Sequence, residues 1–314
     1  MASSPIDAQK RYSYKAMIKY LLLFLTFNLG FCSNKPYVVV LGIAQDGGSP
    51  HTGCEKNCCK NLWESNLNEK VSCIGIVDPR TKKSWIIDAT PDFPEQYRIL
   101  TIDHETKLEG IFLTHAHMGH YTGLMYLGRE VMGAKNIPVF AMPRMQTFLE
   151  SNGPWNQLIS LKNIHIEKLK ENKEIKIGDR LFIEPFLVPH RDEYSETVGY
   201  RIMGENKSVV YIPDIDKWNK WEQNIFRVVL NTDIALIDGT FYSENELPNR
   251  NMNEIPHPFI IETMDILYDL NKSNRDKVYF IHLNHSNPAL KINRGISNEI
   301  KSKGYHIAQE NDMF

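Results

Sequence analysis

The segment Thr114-His115-Ala116-His117-Met118-Gly119-His120 sets three imidazoles within six residues, at the end of the short apolar run 110–114. That run reads as a strand, and the C-terminal ends of strands are where a layered α/β fold opens toward a ligand. On an extended backbone, residues one position apart point the same way, so His115 and His117 share a face. His120 comes round as the chain turns into a helix. Three neutral imidazoles converging in this way suit a borderline divalent metal such as zinc or iron. Of the eleven histidines, His190 and His282 also fall at or just after strand ends, which makes them further candidate ligands.

Apolar runs bounded by turn residues predict strands over 37–42, 71–78, 84–89, 110–114, 137–141, 180–188, 197–203, 208–214, 234–240 and 277–284. Helical patterns cover 122–133, 143–151, 257–272 and 293–304, the second with proline in its first turn. No linker-like run separates the two halves. The expectation is a single domain of α/β layered class over 35–314, two layers of strands with helices outside.

Residues 1–34 read differently. Lys10, Arg11, Lys15 and Lys19 precede an apolar run from Tyr20 to Phe31, too short to span a bilayer and of the length of a secretory leader's core. A start at Met17 leaves a compact bacterial signal, and Cys32 stands where a lipoprotein carries its lipidated cysteine, although Phe31 replaces the small residue normal before it. The reading is an exported protein, periplasmic or anchored as a lipoprotein, touching membrane only through this leader. A formal net charge of −2 provides no overall basic field, so nucleic acid is not an expected partner. A homodimer is compatible with the composition.

The spaced motifs resemble the metallo-β-lactamase superfamily, whose first ligand motif is His-x-His-x-Asp-His at a strand end. The likeness runs over nearly all of 37–290: "IIDATPDF" with Asp88 looks like the strand that buttresses the site, "VPHRDEYSETVGYRI" like the segment bearing His190, "VVYIPD" like the strand delivering Asp214, and "YFIHLNH" like the last ligand strand with His282. Within the superfamily, "VVVLGIAQDGGSPHTGC", "LIDGTFYSENEL" and "HLNHSNPAL" look most like the pyrroloquinoline quinone biosynthesis protein B branch. The cysteine loop is similar to that of the phosphodiesterase acting on cyclic ribose phosphates in phosphonate breakdown.

The resemblance implies an αββα sandwich, with His115, His117 and His190 on one metal, His120 and His282 on a second, and Asp214 between them. The metal would be zinc, iron or manganese, acting by lowering the pKa of bound water and polarising a phosphoryl or carbonyl oxygen. Gly119 departs from the family pattern, which has a ligating aspartate there, so the second active-site metal is expected to be weak or absent. Asp46 and Asp92 are read as solvated or loop-bonding aspartates rather than as its replacement. Asp214 would orient the nucleophile, and His257, before Pro258, would give a proton to the leaving group.

Cys54, Cys58 and Cys59 are three soft ligands, one short of a closed zinc site. The resemblance to the phosphodiesterase supplies His285 as the fourth, giving a structural zinc. A disulfide with one spare thiol is the alternative in an exported protein, and Cys73 reads as a buried thiol. The expected function is a metal-dependent hydrolase of a small polar substrate, a phosphodiester or an ester or amide, with 191–196 and 241–251 shaping its pocket. The alternative is a non-hydrolytic metal-binding accessory or transport protein in quinone cofactor biosynthesis. A tRNA-processing nuclease shares the histidine signature but needs a basic surface that this composition does not offer.

Overall fold

Strand β1 (Tyr37–Gly42) shows how the two layers arise, because its alternate residues enter different cores. Val38 and Val40 join the larger apolar cluster between the sheets, whereas Val39 and Leu41 join a second cluster under the helices of the first layer. Period-two alternation with both faces apolar is what a strand needs when it is covered on both sides. The computed structural model describes residues 35–65, 67–247, 251–290 and 295–314. Residues 1–34, with Cys32 and the expected leader, lie outside them.

The first sheet orders β1, β2 (Cys73–Asp78), β3 (Lys83–Ile87), β4 (Lys107–Phe112), β5 (Ile137–Ala141) and β6 (Ile164–Lys168) side by side. It is antiparallel through β3 and parallel from β3 to β6. Its outer face carries α1 (Phe93–Arg98), α2 (Met118–Tyr121), α3 (Pro143–Ser151) and α4 (Trp155–Ser160), whose buried Met145, Leu149 and Leu158 fill the second cluster.

The second sheet contains β7 (Ile175–Gly178), β8 (Leu181–Leu187), β9 (Val198–Met203), β10 (Ser208–Ile212), β11 (Ile234–Asp238), β12 (Val278–Ile281) and β13 (His306–Ile307). It is antiparallel from β7 to β10 and parallel from β10 to β13. The helices α5 (Ile225–Leu230), α6 (Ile260–Ile266), α7 (Lys272–Arg275) and α8 (Gly295–Ser302) belong to this half. Ile225, Val229, Ile260, Met264 and Ile300 bury their apolar sides against it. The architecture is the αββα sandwich.

Two buried tyrosines stitch the sheets together. Tyr200 donates its hydroxyl to Leu113 O at 2.6 Å, and Tyr211 shares a 3.1 Å hydrogen bond with Ser72. Phe112 stacks on Phe140 at 4.2 Å and meets Tyr200 edge-on, so the end of β4 is packed from both layers. The chain's last residues pair with β1, Val38 N to Phe314 O and Phe314 N to Val38 O, which covers an otherwise open sheet edge.

Two helix expectations change. The α-helix expected over 122–133 is instead a 3-10 helix over Thr122–Leu127, preceded by the single turn of α2. Leu124 and Leu127 are both fully buried and three apart, which a 3-10 helix places on one line, while Val131 is exposed. Over 257–272 the helix starts only at Ile260, after Phe259 N donates to Glu262 Oε2 at 2.8 Å, and it ends at Ile266. His257 and Pro258 thereby stay in the preceding loop. Strands β6 and β7 escaped the sequence because they are short and partly exposed, each alternating over only two isoleucines.

Candidate metal centre

Every arm of the centre leaves the end of a strand. His115, His117 and His120 follow β4, His190 follows β8, Asp214 follows β10, and His282 follows β12 directly. The cross-layer hydrogen bonds Val198 N to Thr114 O and Ala116 N to Ser195 Oγ, at 3.1 and 2.8 Å, fix the histidine loop to the opposite sheet. His282 itself takes a left-handed backbone with φ of 64°, which turns the chain sharply off β12.

The histidines gather around Asp214, which is 2 % exposed. Its carboxylate lies 3.3 Å from His115 Nε2, 3.4 Å from His190 Nε2, and 3.6 Å from both His120 Nε2 and His282 Nε2. His117 Nδ1 stands 2.8 Å from His115 Nε2. Ligands at about 2.1 Å around a tetrahedral ion are roughly 3.4 Å apart, which is the spacing of this cluster. His115, His117, His190 and Asp214 form one group of converging donors, and His120, His282 and Asp46 form another beside it.

The donor atoms themselves show that a cation fits. Asp46 Oδ1, His120 Nε2, His190 Nε2, Asp214 Oδ1 and His282 Nε2 are all buried and engage in no hydrogen bond. Buried polar atoms without partners are costly and rare, and here five of them face shared centres. Neutral nitrogens and carboxylate oxygens in this mixture suit zinc, iron or manganese.

The outward nitrogens are held in place. His120 Nδ1 is 2.7 Å from Asp88 Oδ2, His282 Nδ1 is 3.0 Å from Thr240 Oγ1, His115 Nδ1 is 3.0 Å from Thr114 Oγ1, and His117 Nε2 is 3.0 Å from Glu193. Such contacts fix the ring so that the other nitrogen points inward. Burial pushes the imidazoles of His115, His190 and His282 down, leaving their lone pairs available. Burial opposes the charge on His120 as well, but the Asp88 and Asp46 carboxylates outweigh it and hold that ring well above the ordinary value.

His257 occupies the far side of Asp214. Its Nδ1 lies 2.8 Å from Asp238 Oδ2 and 3.2 Å from Asp214 Oδ1. Asp238 is itself fixed by Thr240, which donates both its hydroxyl and its N–H at 2.7 and 2.9 Å. Burial disfavours the charged ring, yet the two carboxylates prevail and raise His257 above its usual range.

The cysteine loop closes on a second centre. Cys54 Sγ and Cys58 Sγ are 3.6 Å apart, Cys58 and Cys59 are 4.0 Å apart, and His285 joins them as a fourth donor. All four described cysteines are free thiols, so the disulfide alternative is not formed in this structure. His285 is pushed down to about 4 by burial and by the neighbouring His51 and Lys56, and its unpartnered Nδ1 is available to a metal. Burial and the neighbouring thiols push Cys58 up to about 12, as expected for three sulfurs sharing protons. Cys73 is fully buried beside Asp88 O, away from this cluster.

Two participants differ from the sequence expectations. Asp92 does bond a loop, accepting from Val71 N at 2.7 Å, but Asp46 turns inward to His120. Glu193 belongs to the loop expected to shape the pocket, and its carboxylate also holds a histidine. Neither role has a spacing signature, because both depend on contacts between distant segments.

The family model described as beta-lactamase superfamily domain matches residues 84–283. Coenzyme PQQ synthesis protein B of Acinetobacter baumannii (strain ACICU) is 23 % identical over 303 residues, covering 87 % of this chain and 97 % of the relative. The solved Zn(2+)-bound PqqB from Methylobacterium extorquens superposes with a TM-score of 0.74 at 19 % identity, over 88 % of this chain and 99 % of that one. A diphosphatase from the PhnP family superposes with a TM-score of 0.65 at 18 % identity, over 89 % and 96 %.

Proposed function

Since the chain belongs to the metallo-β-lactamase superfamily, we propose that it is a metal-dependent hydrolase, coenzyme PQQ synthesis protein B-like, acting on a small phosphodiester, ester or amide. The observation that carries this reading is the set of buried, unpartnered donor atoms converging on Asp214, beside a His257 held by Asp238. His115, His117, His190 and Asp214, with His120, His282 and Asp46 beside them, would hold divalent ions, whose charge would polarise the substrate's oxygen and lower the pKa of water.

The remaining chemistry falls to side chains. Asp214, its carboxylate within 3.6 Å of His115, His120, His190 and His282, orients the attacking water. His257 keeps Nδ1 between Asp238 and Asp214 and passes a proton from Nε2 to the leaving group. Asp192, Glu193, Tyr194, Ser195 and Thr197 adjoin His115 and His117 on the loop that follows β8.

The whole-length likeness to coenzyme PQQ synthesis protein B favours a second reading, a non-hydrolytic metal-holding accessory or transport protein in cofactor biosynthesis. One assay separates the two. Metal-reconstituted protein should cleave bis(p-nitrophenyl) phosphate or a member of an ester panel, and Asp214→Ala should lose that activity. Stoichiometric metal with no turnover on any substrate would favour the second reading. The basic and apolar pattern of residues 10–31 supports export of the chain.

A further inference from the structure

We propose that Asp46, on the loop after β1, supplies the carboxylate ligand that position 119 lacks, so that the centre holds two ions of comparable affinity. The inference rests on the reading of the histidine cluster as a metal centre, and it reverses the expectation of a weak second site drawn from Gly119 alone.

Gly119 lacks a side chain at the place where Asp46 has arrived. A Cβ added at Gly119 would lie 2.2 Å from Asp46 Oδ1 and 2.6 Å from Asp46 Cα, nearer than real atoms approach. The glycine and the aspartate are therefore two halves of one device. Removing the Cβ at 119 admits the loop, and the loop brings its own carboxylate.

The loop is anchored where it needs to be. Ala44 bridges both Leu283 and Val71, Leu283 N donates to Ile43 O at 2.7 Å, and Gln45 N donates to Leu283 O at 2.9 Å. Leu283 adjoins His282, so this pairing carries Asp46 alongside that ligand. The turn closed by Gly48 N and Gln45 O then aims the side chain. Asp46 Oδ1 ends 3.3 Å from His120 Nε2 and 4.0 Å from His282 Nε2.

A solvated or loop-bonding aspartate would look different. The side chain is 37 % exposed, yet its Oδ1 is buried and makes no hydrogen bond, and the two imidazole nitrogens it faces are equally unpartnered. The two nitrogens and this oxygen make a three-donor set for one ion, with Asp214 Oδ2 3.6 Å from each nitrogen.

The test is metal binding by the full chain. Zinc titration with mass-spectrometric counting should give three ions per wild-type chain, one of them at the cysteine cluster. Asp46→Asn keeps the shape and removes the charge. Its second histidine-cluster ion should weaken by more than the roughly 10–100-fold typical of losing an outer-sphere partner. The first ion and the cysteine-bound ion should remain. Gly119→Ala, whose methyl displaces the Asp46 side chain and its loop while leaving every donor residue unchanged, should weaken the same ion. With manganese, the spin-coupled paramagnetic resonance signal of a bridged pair should give way to that of a single ion in both variants. Unchanged second-ion affinity in both folded variants overturns the role of Asp46 while leaving the metal centre standing. A wild-type chain with no ion at the histidines, or only one, overturns the inference, and the former outcome overturns the hydrolase reading with it.

Discussion

Asp88 Oδ2 lies 2.7 Å from His120 Nδ1, and the same carboxylate accepts the backbone N–H and the hydroxyl of Thr114, the residue that precedes the first histidine. One buried side chain thus fixes both the ring of a candidate ligand and the start of the ligand loop. It does so from a left-handed backbone with φ of 72°.

Asparagine tolerates that backbone better than most residues, so Asp88→Asn tests the charge rather than the conformation. Zinc affinity at the His120 position is expected to fall about 10–100-fold, measured by chelator competition. Asp88→Ala leaves Thr114 N buried without an acceptor, and should cost a further ~1–3 kcal/mol of stability in denaturant unfolding.

His257 and Asp238 make a prediction about leaving groups. His257→Gln removes the proton donor, and hydrolysis of an alkyl phosphodiester should fall by about 10²–10⁴-fold. A nitrophenyl ester, whose leaving group departs as a stable anion, should lose far less. Equal losses on both substrates would assign His257 a structural role only.

Cys54, Cys58 and Cys59 stand close enough to bind one ion with His285, and their sulfurs are not bonded to one another. In zinc-loaded native protein these thiols should resist a thiol reagent until a strong chelator is added, and all should then react without reduction. The segment from Cys54 to His51 adjoins the loop bearing Asp46, so Cys58→Ser is expected to lower both the unfolding temperature and the zinc content. Thiols that stay silent in denaturant and chelator until reduced would reveal a disulfide.

Glu69 forms a bridge to Ser49 beside the loop bearing Asp46. Burial, with the Glu310 charge adding to it, raises its carboxyl from 4.5 to about 7. A carboxyl raised on folding favours the native state fully below its unfolded value of 4.5, and that contribution is lost as pH rises through about 7. Allowing for solvent screening, the loss amounts to about 1 kcal/mol, roughly 2 °C in the unfolding midpoint. Midpoints measured between pH 4.5 and 8 should show this decline, and Glu69→Gln should flatten it.

The sequence alone determined the layered class and most of the candidate site. Each strand that carries a donor is an apolar run with a clear end, and the donors His115, His117, His120, His190, Asp214 and His282 sit just past those ends, where side chains can leave the core. The fourth donor of the cysteine cluster, His285, follows from the resemblance of the cysteine loop to that of the phosphodiesterase. Local hydrophobic pattern sets these elements, so local reading recovers them.

Tertiary structure decided what Gly119 means. A missing side chain in a motif looks like a missing ligand until the chain from 73 residues earlier is seen to fill the space, with Asp46 Oδ1 2.2 Å from where a Cβ would stand. The approach is fixed by the pairing of Ala44 with Leu283 and Val71, contacts set by sheet packing and not by any local periodicity. Coordination is a property of distance in space, and a carboxylate remote along the chain serves an ion as well as a neighbouring one once the fold has brought it within reach.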